Sequence, residues 1–397
     1  MNLSDVASQD GLFCDGDWIE KKDQDPNGAV RLIQLADIGV CEFKDKSSRY
    51  ITEDKGIELN CTYLQKGDIL IARLPEPLGR ACIFPFEGKY ITAVDIAIVR
   101  IPHEDINSKY VMYMINSPQF RNEIKKYESG TTRKRISRKN LDRIEFDIPP
   151  FPEQERIVAR IEELFSQLDS GVETLKRVKQ QLAVYRQAVL KEAYNKYHDF
   201  VPLGQISERI FDGPFGSHLK TADYTNKGVR VVRLENIKSG WFDDSKQSYV
   251  SPEKYETICA HTVFPSDLIM STFISESIKV CQLPLSIKFA VNKADCVGIR
   301  LNEDIQSKFV MFYLLSRQAY TALIHQVHGA TRPRINTKQI KTILVPCANG
   351  DMQKETITEI ERKLSICDRI EQTVDTALQQ AEAMRQSVLK RAFEGRL

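Results

Sequence analysis

The second half of this 397-residue chain repeats the first, displaced by a constant 199 residues. Arg186-Gln187 and Val189-Leu190-Lys191 recur as Arg385-Gln386 and Val388-Leu389-Lys390. Gly130, Thr132, Arg133, Arg135 and Ile136 are echoed by Gly329, Thr331, Arg332, Arg334 and Ile335. Arg31, Asp68, Cys82, Lys89, Lys109 and Gln154 face Arg230, Asp267, Cys281, Lys288, Lys308 and Gln353. Such a period far exceeds the roughly 20–50 residues of a solenoid unit. It describes a duplicated two-part unit, a covalent pseudo-dimer with a pseudo-two-fold internal repeat. Such a pseudo-dimer presents two related surfaces, which need not be identical.

Composition places few limits on function. Lys plus Arg is 56 and Asp plus Glu is 54, a net charge of +2. A near-neutral whole can still carry a local basic face. No stretch approaches the roughly 20 apolar residues of a membrane span. Residues 1–10 lack the basic and apolar regions of a signal peptide, so a cytoplasmic protein is expected. The nine cysteines form no Cys-x-x-Cys pair. Neither a zinc ribbon nor a disulfide framework is expected, and no metal site.

Each repeat reads as a globular part followed by a helical arm. Val30–Leu35, Asp68–Arg73 and Ala93–Ile101 are apolar runs of strand length, matched by Val229–Leu234, Asp267–Met270 and Ala294–Leu301. Helices are expected over Ser108–Tyr127 and Ser307–Val327, with a further short strand in each copy, Arg143–Ile148 and Lys341–Val345. These mixtures predict an α+β class: two mixed α/β domains separated by long helices. The parts fall at 1–150, 151–198, 199–348 and 349–397.

In the first arm the apolar positions run Ile157, Ile161, Leu164, Leu168, Val172, Leu175, Val178, Leu182, Tyr185 and Val189. In the second they include Ile357, Ile360, Leu364, Cys367, Ile370, Val374, Leu378 and Val388. Steps of three and four are coiled-coil spacing. A narrow apolar seam needs a partner, and the duplicate supplies one. The arms are expected to pair as an antiparallel coiled coil through Leu168, Val172, Leu175, Leu182, Val189, Ile370, Val374, Leu378 and Val388. The alternative is that each arm packs on its own globular part. Ser170-Gly171-Val172-Glu173 has the form of a capping box, which predicts a helix break near Asp169.

No catalytic motif emerges. There is no Gly-x-x-x-x-Gly-Lys-Ser/Thr phosphate loop. Ile148-Pro149-Pro150-Phe151 has isoleucine where an amino-methyltransferase needs a side chain that can accept a hydrogen bond from the target amine. Phe211-Asp212-Gly213-Pro214-Phe215-Gly216 precedes no parallel strand-helix-strand pattern.

What remains is a pair of basic loops. Gly130-Thr131-Thr132-Arg133-Lys134-Arg135-Ile136-Ser137-Arg138-Lys139 packs five cations into ten residues. The second copy, Gly329 to Lys338, holds Thr331, Arg332, Arg334 and Lys338. Arginine contacts phosphates or guanine edges bidentately, and threonine and backbone N–H groups add phosphate contacts. A charged loop is most often solvated surface, but its recurrence at one place in each repeat favours DNA contact. Arg73, Lys89 and Lys288 are added as candidate contacts. Ile136 and Ile335 are expected to anchor the loops in the core.

Taken together, the chain resembles a specificity subunit of a type I restriction-modification system. The match covers nearly the whole chain and rests on the order reader, arm, reader, arm. It also rests on Ile148-Pro149-Pro150-Phe151-Pro152-Glu153-Gln154-Glu155-Arg156-Ile157-Val158, similar to the segment that leads into the family's helical region, and on the ending Leu389-Lys390-Arg391-Ala392-Phe393-Glu394-Gly395-Arg396-Leu397. The corresponding segment of the second copy, Pro346 to Gln353, departs from the first, having one proline. The resemblance implies two target-recognition domains, each reading one part of a split, asymmetric site in double-stranded DNA. The arms would set the gap and dock two methyltransferase (modification) subunits. Those would carry S-adenosylmethionine and methylate adenine, and ATP-dependent motor-nuclease (restriction) subunits would complete the complex. The chain itself would hold no cofactor and be non-catalytic. A fused methyltransferase or nuclease, and a coiled-coil scaffold without a DNA role, are the other classes open to it.

Overall fold

The computed structural model describes residues 1–8, 10–325 and 333–397. Two compact units divide the chain. One comprises Met1–Leu175 with Thr376–Leu397, the other Lys176–Asp375.

In the first unit, α1 (Leu3–Ala7) leads into β1 (Leu12–Asp15), β2 (Val30–Ile33), β3 (Arg49–Ile51), α2 (Glu53–Glu58), β4 (Ile69–Ala72), β5 (Ala81–Ile83), β6 (Tyr90–Thr92) and β7 (Ile96–Arg100). The order β1-β7-β4-β5 makes an antiparallel sheet, and β3-β2-β6 a second sheet in which β2 and β6 are parallel. Ile69, Leu70, Ile71 and Ala72 of β4 are all fully buried. A strand covered on both faces reads as a continuous apolar run rather than an alternating one.

Helices α3 (Ser108–Ile115) and α4 (Pro118–Lys126) follow, then α5 (Arg138–Leu141) and the start of the long α6 (Phe151–Tyr194). The single helix expected over Ser108–Tyr127 is therefore two. Ser117 accepts from Phe120 N–H as an N-cap, and Pro118 takes the first helical position. Proline there has no N–H for the preceding helix to use. The strand expected at Arg143–Ile148 does not form, because the segment has only a single-residue partner. Phe146 N–H donates to the Met1 carbonyl at 2.9 Å, and the Met1 amino group donates to the Phe146 carbonyl at 3.0 Å.

The second unit contains β8 (Phe200–Pro202), β9 (Ser207–Phe211), β10 (Tyr224–Thr225), β11 (Val229–Val232), β12 (Ser248–Val250), α7 (Pro252–Ile258), β13 (Thr262–Val263), β14 (Leu268–Ser271), β15 (Val280–Gln282), β16 (Ala290–Asn292) and β17 (Cys296–Leu301). Helices α8 (Ser307–Leu314), α9 (Arg317–Ile324) and α10 (Thr337–Lys341), strand β18 (Leu344–Pro346) and the long α11 (Gly350–Ala392) complete the elements. Its sheets are β15-β14-β17-β9, β10-β12-β11-β16-β13 and β18-β8, with β11 and β16 parallel. Here too the expected helix, Ser307–Val327, is broken, at Ser316, which caps α9. Its last two residues lie outside those described.

Both units fix their sheets with the same buried charge. Asp68, 1 % exposed, accepts both Nε and Nη2 of Arg100 at 2.8 and 2.7 Å. Asp267 accepts the same pair from Arg300 at 3.1 and 2.8 Å. Bidentate pairing is what makes a carboxylate tolerable beneath a sheet.

Helix α6 is continuous through Gly171, against the expected break near Asp169. Thr174 bonds back to the Ser170 carbonyl at 2.9 Å, one helical turn behind, so Ser170 lies within the helix rather than capping it. Glycine costs about 1 kcal/mol against alanine in a helix, less than side-chain packing along a 44-residue helix supplies.

Candidate nucleic-acid interface

Gly130 begins the first basic loop at φ +99°, and a Cβ there would lie 2.4 Å from the Arg133 carbonyl oxygen. Only glycine suits that turn. Ser129 and Arg135 then exchange backbone hydrogen bonds, both at 2.9 Å, closing the loop into a tight excursion. Ile136 is 1 % exposed, and its N–H donates to the Arg73 carbonyl at 3.1 Å. Ser137 caps α5 by accepting from Asn140 N–H. A buried isoleucine followed by a capped helix thus pins the loop at its base.

The cations of this region divide by what holds them. Arg73 pairs with Asp15 at 3.2 Å and donates to the Val94 carbonyl, and Arg138 approaches the same Asp15 at 3.5 Å. Lys134 lies between Glu128 at 2.6 Å and Glu76 at 3.3 Å, and the hydrogen bond to Glu128 raises its pKa above the ordinary lysine value. Lys89 pairs with Glu53 at 2.5 Å. Arg133, Arg135 and Lys139 are exposed, and among the described residues they make no ion pair. Thr131 and Thr132 are exposed beside them. The counter-charges Asp15, Glu76 and Glu128 were not foreseeable from sequence, because each reaches its lysine or arginine through the fold and none matches a local motif.

The second loop is built on the same base. Ile335 is 3 % exposed and donates to the Thr272 carbonyl at 3.0 Å, and Asn336 caps α10 by accepting from Gln339 N–H at 2.9 Å. Arg334 forms a bridge with Phe273, lies 4.4 Å over that ring and pairs with Asp295 at 3.6 Å. Lys338 and Lys288 are exposed. Gly329, Thr331 and Arg332 lie outside the described residues.

In the arms, Leu182, Val189 and Val374 are buried, and Leu168, Val172, Leu175, Leu378 and Val388 are partly so. Ile370, expected on the seam, is 41 % exposed. Between Ile360 and Ala381 the buried positions of α11 are Ile360, Cys367, Val374 and Ala381, a strict seven-residue step. The second apolar row passes through Leu364 and Leu378, and its position between them is Glu371, not Ile370. Within the second unit Lys179 pairs with Asp375, Arg186 with Asp368 and Glu192 with Lys363, so partner numbers fall as the first rises. Within the first unit Arg385 pairs with Asp169 and lies 4.7 Å over Phe165.

Each arm also starts on a buried amide. Gln154, 1 % exposed, accepts from Asn107 N–H at 2.8 Å and donates to the Asp105 and Pro149 carbonyls. Gln353, also 1 % exposed, does the same with Gln306 N–H, Asp304 and Ala348. The different proline content of the segments leading into the two arms leaves this arrangement unchanged.

Among the described residues no group of His, Cys, Asp and Glu is placed to hold a metal, and no helix is long and apolar enough to cross a membrane. Burial pushes the Cys82 and Cys281 thiols up to about 12, far from the reactive thiolate range.

Residues 7–182 match the family model described as the type I restriction modification DNA specificity domain. The chain is 24 % identical over 311 residues to the type I restriction enzyme EcoKI specificity subunit of Escherichia coli strain K12, covering 75 % of this chain and 67 % of that one. It is 23 % identical over 327 residues to the EcoBI specificity subunit of Escherichia coli, covering 75 % and 68 %. A solved structure described under the assembly and conformational transition of the type I restriction-modification system shares the fold, with a TM-score of 0.73, 14 % identity and coverage of 100 % and 97 %.

Proposed function

We infer that this chain, a member of the type I restriction-modification specificity-subunit family, serves as the non-catalytic DNA-recognition subunit of such a system. Residues 1–150 and 199–348 act as two target-recognition domains, copies of one ancestral unit. Each reads one half of a bipartite, asymmetric site in double-stranded DNA. The arms, 151–198 and 349–397, pair as an antiparallel coiled coil, set the gap between half-sites and dock two modification subunits. Those subunits bind S-adenosylmethionine, and motor-nuclease subunits join the complex for restriction.

One observation carries the reading of the loops. Ile136 and Ile335 are buried at the same point of the two units, each bonded to the end of a core strand or the residue beyond it and each followed by a capped helix. Arg133 and Arg135 are thereby held out on a fixed base. Bases are read by side chains reaching their edges, while phosphate contacts set register and orientation. A scaffold without a DNA role gives no reason to preserve that base twice.

The test is DNA binding by the complex reconstituted with the modification subunit. Changing Arg133 and Arg135 to Ala weakens binding, and each lost phosphate contact lowers the slope of log affinity against log salt by about 1. Unchanged affinity and slope in the folded variant complex would contradict the assignment.

A further inference from the structure

The parallel strand pair ends differently in the two units. In the second unit Val232 of β11 lies opposite Asn292 of β16, and Lys293 N–H donates to the Val232 carbonyl at 2.9 Å. The residues just beyond the two strands are thus Arg233 and Lys293, side by side. The Arg233 guanidinium lies 5.7 Å from the Tyr224 ring centroid, and the Lys293 ammonium 5.3 Å from the same centroid. Cations at these distances are drawn to the ring's quadrupole, which gathers two like charges that would otherwise separate. Arg233 also reaches Ser248 Oγ at 3.4 Å and Glu235 at 3.6 Å, yet keeps 39 % of its side chain exposed. Among the described residues Lys293 makes no ion pair.

This edge shares a wall with the second basic loop. Asp295, two residues after Lys293 and held at φ +67°, pairs with Arg334. Thr272 N–H donates to the Asp295 carbonyl at 3.0 Å, and the Thr272 carbonyl accepts Ile335 N–H at 3.0 Å. Gly213 closes the other side, where a Cβ would meet the Lys293 carbonyl carbon at 2.2 Å.

The first unit has the same backbone without the charge. Ile33 lies opposite Thr92, and Ala93 N–H donates to the Ile33 carbonyl at 3.0 Å. Gln34 and Ala93 therefore occupy the places of Arg233 and Lys293, neither bearing a charge.

We propose that Arg233 and Lys293 form a DNA-backbone contact particular to the second unit, next to the loop bearing Arg334. Two cations converging on one point suit the anionic phosphate, for which lysine serves as a point charge and arginine as a fork. The proposal rests on the DNA-recognition reading above.

The test uses the full chain reconstituted with modification subunits and a duplex carrying its own site. R233Q and K293A install the residues of the first unit. Each is expected to lower the salt slope by about 1, and the double variant by about 2. Phosphate contacts carry no sequence information, so the ranking of altered sites stays the same, and K293R keeps the wild-type slope. If R233Q disturbs folding, K293A alone decides, checked by its melting temperature. A slope unchanged by K293A, while R133A/R135A lowers it, overturns this edge and leaves the recognition reading intact. Loss of discrimination between sites at an unchanged slope overturns the phosphate assignment. No effect from either set of variants in folded complexes removes the recognition reading itself.

Discussion

Arg186 donates to the Asp368 carboxylate at 2.7 Å, and 199 residues on from Arg186, Arg385 donates to Asp169, which stands 199 residues before Asp368. The same two residue types thus pair once inside each unit. Glu371 accepts from the same Arg186 Nη2 at 2.9 Å, which explains a glutamate between Leu364 and Leu378 on the second apolar row of α11.

A double-mutant cycle with R186A and D368A measures that contact. Asp368 keeps 68 % of its side chain exposed, so the coupling expected is small, on the order of 0.5 kcal/mol and salt-sensitive. The charge swap R186D/D368R recovers part of it. Additive effects of the two single variants would show that the pair carries no coupling.

Gly171 tests the continuity of α6. Nothing lies within 4 Å of the position its Cβ would take. Gly171→Ala is therefore expected to raise stability by roughly 0.5–1 kcal/mol, through helix propensity alone. A loss of stability in denaturant unfolding would indicate that the chain needs glycine's freedom there.

Gln154 and Gln353 test the arm bases. Gln154→Leu leaves Asn107 N–H and the Pro149 carbonyl without their partner in a buried place. A buried group left unsatisfied costs about 1–3 kcal/mol, so a loss of at least about 2 kcal/mol is expected. Gln353→Leu should behave alike. Unfolding midpoints at wild-type values would show that other groups satisfy these atoms.

Asp17 gives the pH dependence. Burial pushes its carboxyl up to about 6, and the Thr62 N–H pulls it partly back. A folded value above the unfolded 3.8 means that the folded protein holds the proton more tightly. Its contribution is therefore fully present below about pH 4 and lost as pH rises through about 6. Asp17→Asn should flatten the stability profile between about pH 4 and 6 and raise the melting temperature at about pH 8. An unaltered profile would contradict the raised value.

Much of this molecule is visible in its sequence, for physical reasons that also explain where structure and sequence part. The β4 run Ile69–Ala72 is readable because a doubly covered strand must be apolar throughout. The breaks at Ser117 and Ser316 are hidden because helical spacing of apolar residues continues across them, while the serine caps, joined by Pro118 in the first unit only, are local signals. At Gly171 the reverse holds, a local capping pattern being overridden by packing along the helix. A three-residue step puts Ile370 on the seam, although the seam there passes through Glu371, whose charge Arg186 neutralises. The loop cations are legible, but which of them are bound is not. The carboxylates Asp15, Glu76 and Glu128 reach them only through the fold.

Residues 1–150 and 199–348 are proposed to read different halves of one DNA site. The deciding experiment exchanges residues 199–348 for the corresponding domain of another specificity subunit and maps adenine methylation in cells that also carry the modification subunit. The expected result is a methylated site in which one half is replaced and the other kept. Replacement of both halves, or a site unchanged in an active complex, would contradict it.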